Sequence, residues 1–178
     1  MAAGAVLAAT LASLASPTGA VITRTYPLKD ILADCDSIRV ATVRPSTGGK
    51  RREFVHSAVL KGRAGWKSAT VDLTRADDHS QTPILAQRLK KGRSVVLFSR
   101  AGKFTLGFVE GTWFRLAPAK VPAKRGAPTA LQFVHLELYL RRTFHGSTAE
   151  LRKVVADALA GKSTPPEADV TVKPGYGD

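Results

Sequence analysis

The chain predicts a mainly β fold, a small barrel of five to six short strands with a single C-terminal α-helix packed on it. Three observations point there. Short apolar runs recur at roughly 8 to 12 residue spacing with glycine-bearing turns between them, the pattern of a small sandwich or barrel. One amphipathic helix with both ends marked lies near the C-terminus. Cys35 is the only cysteine in 178 residues, so no internal disulfide forms and a hydrophobic core must hold the fold. The length suits one domain with a proper core.

The elements follow in order. Ile38 to Val43 alternates as a strand and stops at Pro45, before a Ser46 to Gly49 turn. Glu53 to Leu60 is a second strand, its alternation carried by Phe54 and, after a shift, Val59, and it breaks at Lys61-Gly62. Ala69 to Leu73 is a third. A polar loop, 75 to 82, leads to a helical turn over Pro83 to Leu89 with Ile84, Leu85 and Leu89 apolar. Gly92 opens the strongest strand, Ser94 to Phe98. Ala101-Gly102 makes a hairpin turn into Phe104 to Val109, and Glu110-Gly111 another into Thr112 to Leu116. Residues 117 to 130, rich in Pro, Ala and Lys, read as a long exposed basic loop. Residues 131 to 144 fit two periods: Leu136, Leu138 and Leu140 alternate, while Phe133, Leu136, Leu140 and Phe144 step as on a helix. We read an extended run through about Val134 and then a short helix.

The last helix has one reading. Ser147 is its N-cap and Glu150 completes a capping box. Leu151, Val154, Val155, Ala158 and Leu159 form one apolar stripe, and Gly161, then Pro165-Pro166, end it. Residues 161 to 178 are expected to be extended over the surface or disordered. Cys35 is expected to be a small buried residue near the start of the fold.

Residues 1 to 16 carry no charge, and Thr18 and Ala20 suit cleavage after Ala20. Residues 1 to 20 therefore read as a signal peptide rather than a membrane anchor, since the run is shorter than a span and Ala-rich. Residues 21 to 160 form the domain, in a secreted or periplasmic setting. Leu32 to Cys35 lacks the small apolar residues of a lipidation box.

The net charge of +13 is uneven. Residues 37 to 125 hold 19 basic and five acidic side chains, a net +14, whereas the flanking segments are near neutral. Such a field draws polyanions by counterion release; the competing reading is a solvated basic surface. The basic residues group at predicted turns: Lys50, Arg51 and Arg52; Lys61 and Arg63; Lys90, Lys91 and Arg93; Lys120, Lys124 and Arg125. Arg141 and Arg142 precede the helix N-terminus, where exposed N–H groups can take an anion, but Ser147 and Glu150 compete for those groups and the cap is favoured. Trp66 beside Lys67 is the one aromatic placed for nucleotide stacking, too little to favour a dedicated nucleic-acid role. Asp77, Asp78 and His79 are the candidate metal ligands, with His135 and its neighbour Glu137 as a polar pair on one strand face. No nucleophile motif, phosphate loop or cofactor signature is present, and no catalytic residue is assigned.

The succession "DCDSIRVATV", "VHSAVLKG", "LKKGRSVVLFSR" and "GTWFRLAP" resembles small secreted barrels of the netrin-like, oligonucleotide-binding-fold type. The C-terminal "HLELYLRRTFHGSTAELRKVVADALAGKSTPP" resembles a segment of secreted proteins from planctomycete-type bacteria. The resemblance implies a barrel and no activity. The cysteines that staple animal netrin-like modules, and the cysteine start their protease inhibitors use, are absent. The expected function is thus an extracytoplasmic, non-catalytic binding module with a basic face for an envelope polyanion or acidic protein, needing no cofactor. The alternative is an envelope metal protein or hydrolase using Asp77, Asp78, His79 or His135.

Overall fold

The computed structural model describes residues 26–45, 50–63, 65–74, 76–101, 104–119 and 129–176. The expected signal segment and the Lys120, Lys124 and Arg125 group lie outside them. Helix α1 (Leu28–Asp34) precedes three strands, β1 (Ser37–Pro45), β2 (Arg51–Lys61) and β3 (Ser68–Asp72). Helix α2 (Gln81–Arg88) leads to four more, β4 (Ser94–Arg100), β5 (Phe104–Val109), β6 (Thr112–Pro118) and β7 (Thr129–Leu136). A 3-10 turn over Leu138–Arg142 and helix α3 (Thr148–Leu159) complete the chain.

The strands close into a barrel in the order β1-β2-β3-β7-β6-β5-β4, one strand or two more than the sequence predicts. The addition is β7, drawn from the segment with two competing periods. It begins at Thr129 and β6 runs to Pro118, so both ends of the expected 117 to 130 loop belong to strands. An odd number of strands cannot close with every neighbour antiparallel. Here β3 and β7 form the one parallel seam. A parallel neighbour cannot be reached by a hairpin, so the chain must cross over. It crosses between β3 and β4, and α2 lies on that crossover.

Two cores result. Inside the barrel, Val43, Phe54, Val71, Val95, Leu97, Phe114 and Phe133 are buried, and Leu85 of α2 with Leu89 just after it closes one end over them. Outside, Ile38, Val96, Phe98, Phe108 and Trp113 are covered by Leu28 and Ile31 of α1 and by Leu151 and Val155 of α3. Alternate residues of β4 thus serve opposite cores, which is why Ser94 to Phe98 reads as a continuous apolar run rather than an alternating one. The α3 stripe is narrower than expected. Leu159 is exposed and Val154 and Ala158 are half-buried. Cys35 is buried, and burial pushes its thiol up to about 11.

Register shifts in the β1–β2 pair absorb the break seen between Phe54 and Val59, and leave Val59 exposed. Gly107 lies opposite Phe114 on β6, and the ring tip occupies the space a Cβ would take there. The tail crosses the 3-10 turn: Asp169 N donates to the Arg142 carbonyl and Gly175 N to that of Leu138. No helix among the described residues is long and apolar enough to cross a membrane.

Candidate anion-binding cleft

Strand direction decides which loops meet. Neighbouring strands alternate except at the parallel seam, so one barrel end collects the C-termini of β1, β3, β5 and β7 and the N-termini of β2, β4 and β6. That end carries α2, Lys50 to Arg52, the Lys90 to Arg93 turn, the Glu110-Gly111 hairpin and the segment from Arg141 to Ser147. The Lys61 and Arg63 group is at the other end.

At the crossover end a cleft of about 600 Å³, within the usual range for ligand sites, is lined by Arg88, Lys90, Arg93 and Arg141 with His145 and Ser147. A second bay of about 500 Å³ adds Arg152 and Lys153 from α3. Both bays share Arg93 and Glu110. Among the described residues the two bays are lined by six Lys or Arg side chains and one carboxylate, and one of the six, Lys153, is paired with Asp157 at 2.6 Å.

Local structure fixes these groups. Gly92 N donates to the Val43 carbonyl and Val43 N to that of Arg93, which pins the Lys90 to Arg93 turn to β1. Arg52 Nε donates to the Leu89 carbonyl at 3.0 Å, so Arg52 supports the turn rather than facing the cleft. The Glu110-Gly111 hairpin has positive φ at both residues, +43° and +73°, as two-residue turns of the primed kind require. Glu110 N donates to Thr148 Oγ1 at 2.9 Å, which ties the start of α3 to this hairpin. Arg93 Nη1 stands 3.8 Å from Glu110 Oε1, both half exposed; such pairs contribute less than about 1 kcal/mol, so an incoming anion can displace the contact.

The capping box forms. Ser147 Oγ accepts from Glu150 N at 3.2 Å, and Glu150 Oε2 accepts from Ser147 N at 2.7 Å. The backbone N–H of Ser147, with its hydroxyl, holds the Glu150 carboxyl below its ordinary range. The helix start is therefore satisfied internally, and the positive character of the cleft comes from side chains.

The structure divides the predicted basic residues. Lys90, Arg93 and Arg141 line the cleft, and Lys91 is exposed on the same turn. Arg142 turns the other way, into a cleft with Glu150, Glu167 and Asp169, and its Nε donates to the Val172 carbonyl at 3.0 Å. Arg51 stands 3.8 Å from Asp72. Lys50 lies in a shallower cleft with His79. Sequence reasoning missed Arg88, Arg152, Lys153 and Glu110. The one local signal among them is Glu110, a residue that turns of this type rarely place first.

Asp77 and Asp78 turn to different partners, and His79 lines the cleft that holds Lys50. Asp77 Oδ2 is 3.8 Å from His135 Nδ1. Asp78 Oδ1 accepts from Ser80 N at 2.9 Å, and hydrogen bonds from Ser80 hold its carboxyl low. His135 Nε2 meets Glu137 Oε1 at 3.1 Å, and Glu137 also pairs with Arg115. Among the described residues no group of three His, Cys, Asp or Glu side chains is placed to hold a metal ion.

At the opposite end Arg39 is buried over the Trp66 ring, 5.3 Å from its centroid, and donates to the Arg63 carbonyl at 2.9 Å. Burial lowers its pKa. Trp66 is thus a half-buried partner of Arg39 and His56 rather than an open stacking platform.

Fold and cleft together define a class, a closed seven-stranded β-barrel with a helix over one end and a two-bay basic cleft beside it. Compared with known proteins, the chain matches no family model, no curated protein and no solved structure.

Proposed function

We propose that this protein is an extracytoplasmic, non-catalytic binding module whose basic cleft receives an anionic partner of the cell envelope. The observation that carries the reading is the charge of the crossover end: six cationic side chains around two joined bays, with one carboxylate between them. Like charges lining one concave surface reinforce one another's field and raise the local concentration of anions. The barrel order also supports a netrin-like or oligonucleotide-binding-fold kinship, because a three-strand meander is followed by a helix and then the remaining strands. Seven closed strands exceed the five of the partly open oligonucleotide-binding scaffold. The uncharged segment before residue 17 supports the extracytoplasmic setting.

The test is binding of the purified chain to heparin-like glycan, anionic lipid vesicles and single-stranded DNA at low and near-physiological salt. Binding that falls steeply with salt, and drops at least tenfold when Lys90, Arg93 and Arg141 are changed together to Ala, is the expected result. Absence of binding at low salt, or a triple variant that binds as the parent does, overturns the reading.

A further inference from the structure

The pair shared by the two bays carries an inference that rests on the anion-binding reading and deepens it. We propose that the cleft takes a hydroxyl-bearing acidic oligosaccharide, with one anionic group in each bay and a sugar hydroxyl donating to Glu110 between them. Inorganic polyphosphate, whose charge is uninterrupted, is selected against.

Each bay has its own cations. Arg88, Lys90 and Arg141 stand in the first, Arg152 and Lys153 in the second, with Arg93 on the boundary. Glu110 is the one carboxylate that lines either bay among the described residues. An ionised carboxylate accepts hydrogen bonds and donates none. Whatever crosses it must bring a donor, and like charge placed against it is strongly unfavourable. A run of phosphates offers no such donor, whereas an acidic sugar carries hydroxyls beside its charge on every ring.

The backbone adds to this. Glu110 occupies the left-handed region at φ +43° in a turn that favours Asn, Asp or Gly there. Residues held in sparsely populated backbone regions cluster at functional sites. Here the residue so held carries a carboxylate long enough to reach Arg93 at the bay boundary.

Peptide recognition fits poorly. A closed barrel has no free edge to which a strand can add. The side chains of the first bay are all polar or charged, and the second offers no apolar group larger than Ala149 and Ala156. A peptide held by apolar anchors therefore finds no pocket here, and hexaglutamate tests the acidic peptide that Arg clusters can bind.

The experiment compares a sulfated hexosamine–uronate tetrasaccharide, tripolyphosphate and hexaglutamate by calorimetry on the full chain at one low ionic strength. The tetrasaccharide is expected to bind at least tenfold more tightly than either competitor. Glu110→Gln should narrow its lead over tripolyphosphate to within threefold, chiefly by tightening tripolyphosphate. Glu110→Asn, which suits the left-handed backbone, should do the same in a protein at least as heat-stable as the parent. Arg152→Ala with Lys153→Ala should weaken the tetrasaccharide at least tenfold. Tripolyphosphate or hexaglutamate binding as tightly as the glycan overturns the assignment, as does a Glu110→Gln protein with unchanged selectivity. If all three anions bind alike and all are lost in the Lys90, Arg93 and Arg141 variant, only the glycan assignment falls. If none binds at low salt, the anion-binding reading falls with it.

Discussion

Replacing Gly107 by Ala tests the packing of the barrel interior at a single atom. A Cβ at this position would stand 2.1, 2.3 and 2.7 Å from Cζ, Cε2 and Cε1 of Phe114. Carbon atoms rest at about 3.5 Å or more, so the ring must retreat by about 1.4 Å. Phe114 is fully buried, in one cluster with Leu116 of its own strand and with Val95 and Leu97 of β4, and a close-packed interior leaves no room for that retreat. The cost therefore belongs in the upper part of the range for overpacked cores, about 2–3 kcal/mol. For a chain of this length that is a fall in melting temperature of about 4–12 °C. Urea unfolding of the Gly107→Ala protein measures it directly. Adding Phe114→Leu shortens the ring side chain and relieves the contact, so the double variant should lose at least about 0.5 kcal/mol less than the sum of the singles. A Gly107→Ala protein within about 0.5 kcal/mol of the parent, the range of neutral surface changes, would refute the reasoning. So would strict additivity.

Three further outcomes follow from the same physics. Ser147→Ala should cost about 1 kcal/mol through loss of the cap. The Glu150 carboxyl is held low in the native state, so its contribution is present above its ordinary pKa of 4.5 and is lost as pH falls through the native value. Urea melts from pH 6 downward should show that loss in the parent and a flatter acid limb in Ser147→Ala. Trp113 Nε1 donates to the Phe144 carbonyl at 2.9 Å from a nearly buried ring. Trp113→Phe leaves that carbonyl unpaired at about 1–3 kcal/mol, read by thermal unfolding with Trp66 as the remaining fluorophore. Cys35, buried with its thiol raised to about 11, should resist a thiol-specific disulfide reagent at pH 8 until the chain unfolds. Rapid labelling of the folded protein would contradict the burial.

Strand positions were legible where turn residues punctuate the apolar runs. Phe104 to Val109 begins and ends as predicted because Gly and charged residues stand at both ends of its apolar run. The seventh strand was obscured because Leu136, Leu138 and Leu140 continue its alternation into a 3-10 turn, where the two periods overlap. Helix α1 was missed for want of punctuation. Its seven residues follow Pro27 with no side-chain cap, and only Leu28, Ile31 and Leu32 carry the helical spacing. The cleft was legible in half. Lys90, Arg93 and Arg141 announce themselves as charges at turns, but Arg88, Arg152 and Lys153 sit on helix faces that look like ordinary solvated surface. Only the barrel order brings those faces to one end. The same holds for Arg141 and Arg142, adjacent in sequence and turned into two different, adjoining clefts.

The odd strand number explains why the cleft lies at this end rather than the other. One parallel seam forces one crossover, and the crossover places α2 over the barrel mouth with Leu85 and Leu89 inserted into the interior. Polar residues of α2 are then left on its rim, where Arg88 meets the cleft. The other walls are short segments held by backbone bonds: the turn tied to Val43, the two-residue hairpin at Glu110, and a helix start closed by its own capping box. A ligand entering such a cleft has only side chains to order. Each immobilised side chain costs about 0.5–1.5 kcal/mol, whereas ordering backbone would add about 1–2 kcal/mol per residue. Basic residues on a mobile loop would lose much of their attraction to that ordering. On this frame the proposed attraction would be retained, and the proposed discrimination among anions by where they carry a donor rests on Glu110, fixed between the bays by the hairpin and its bond to Thr148.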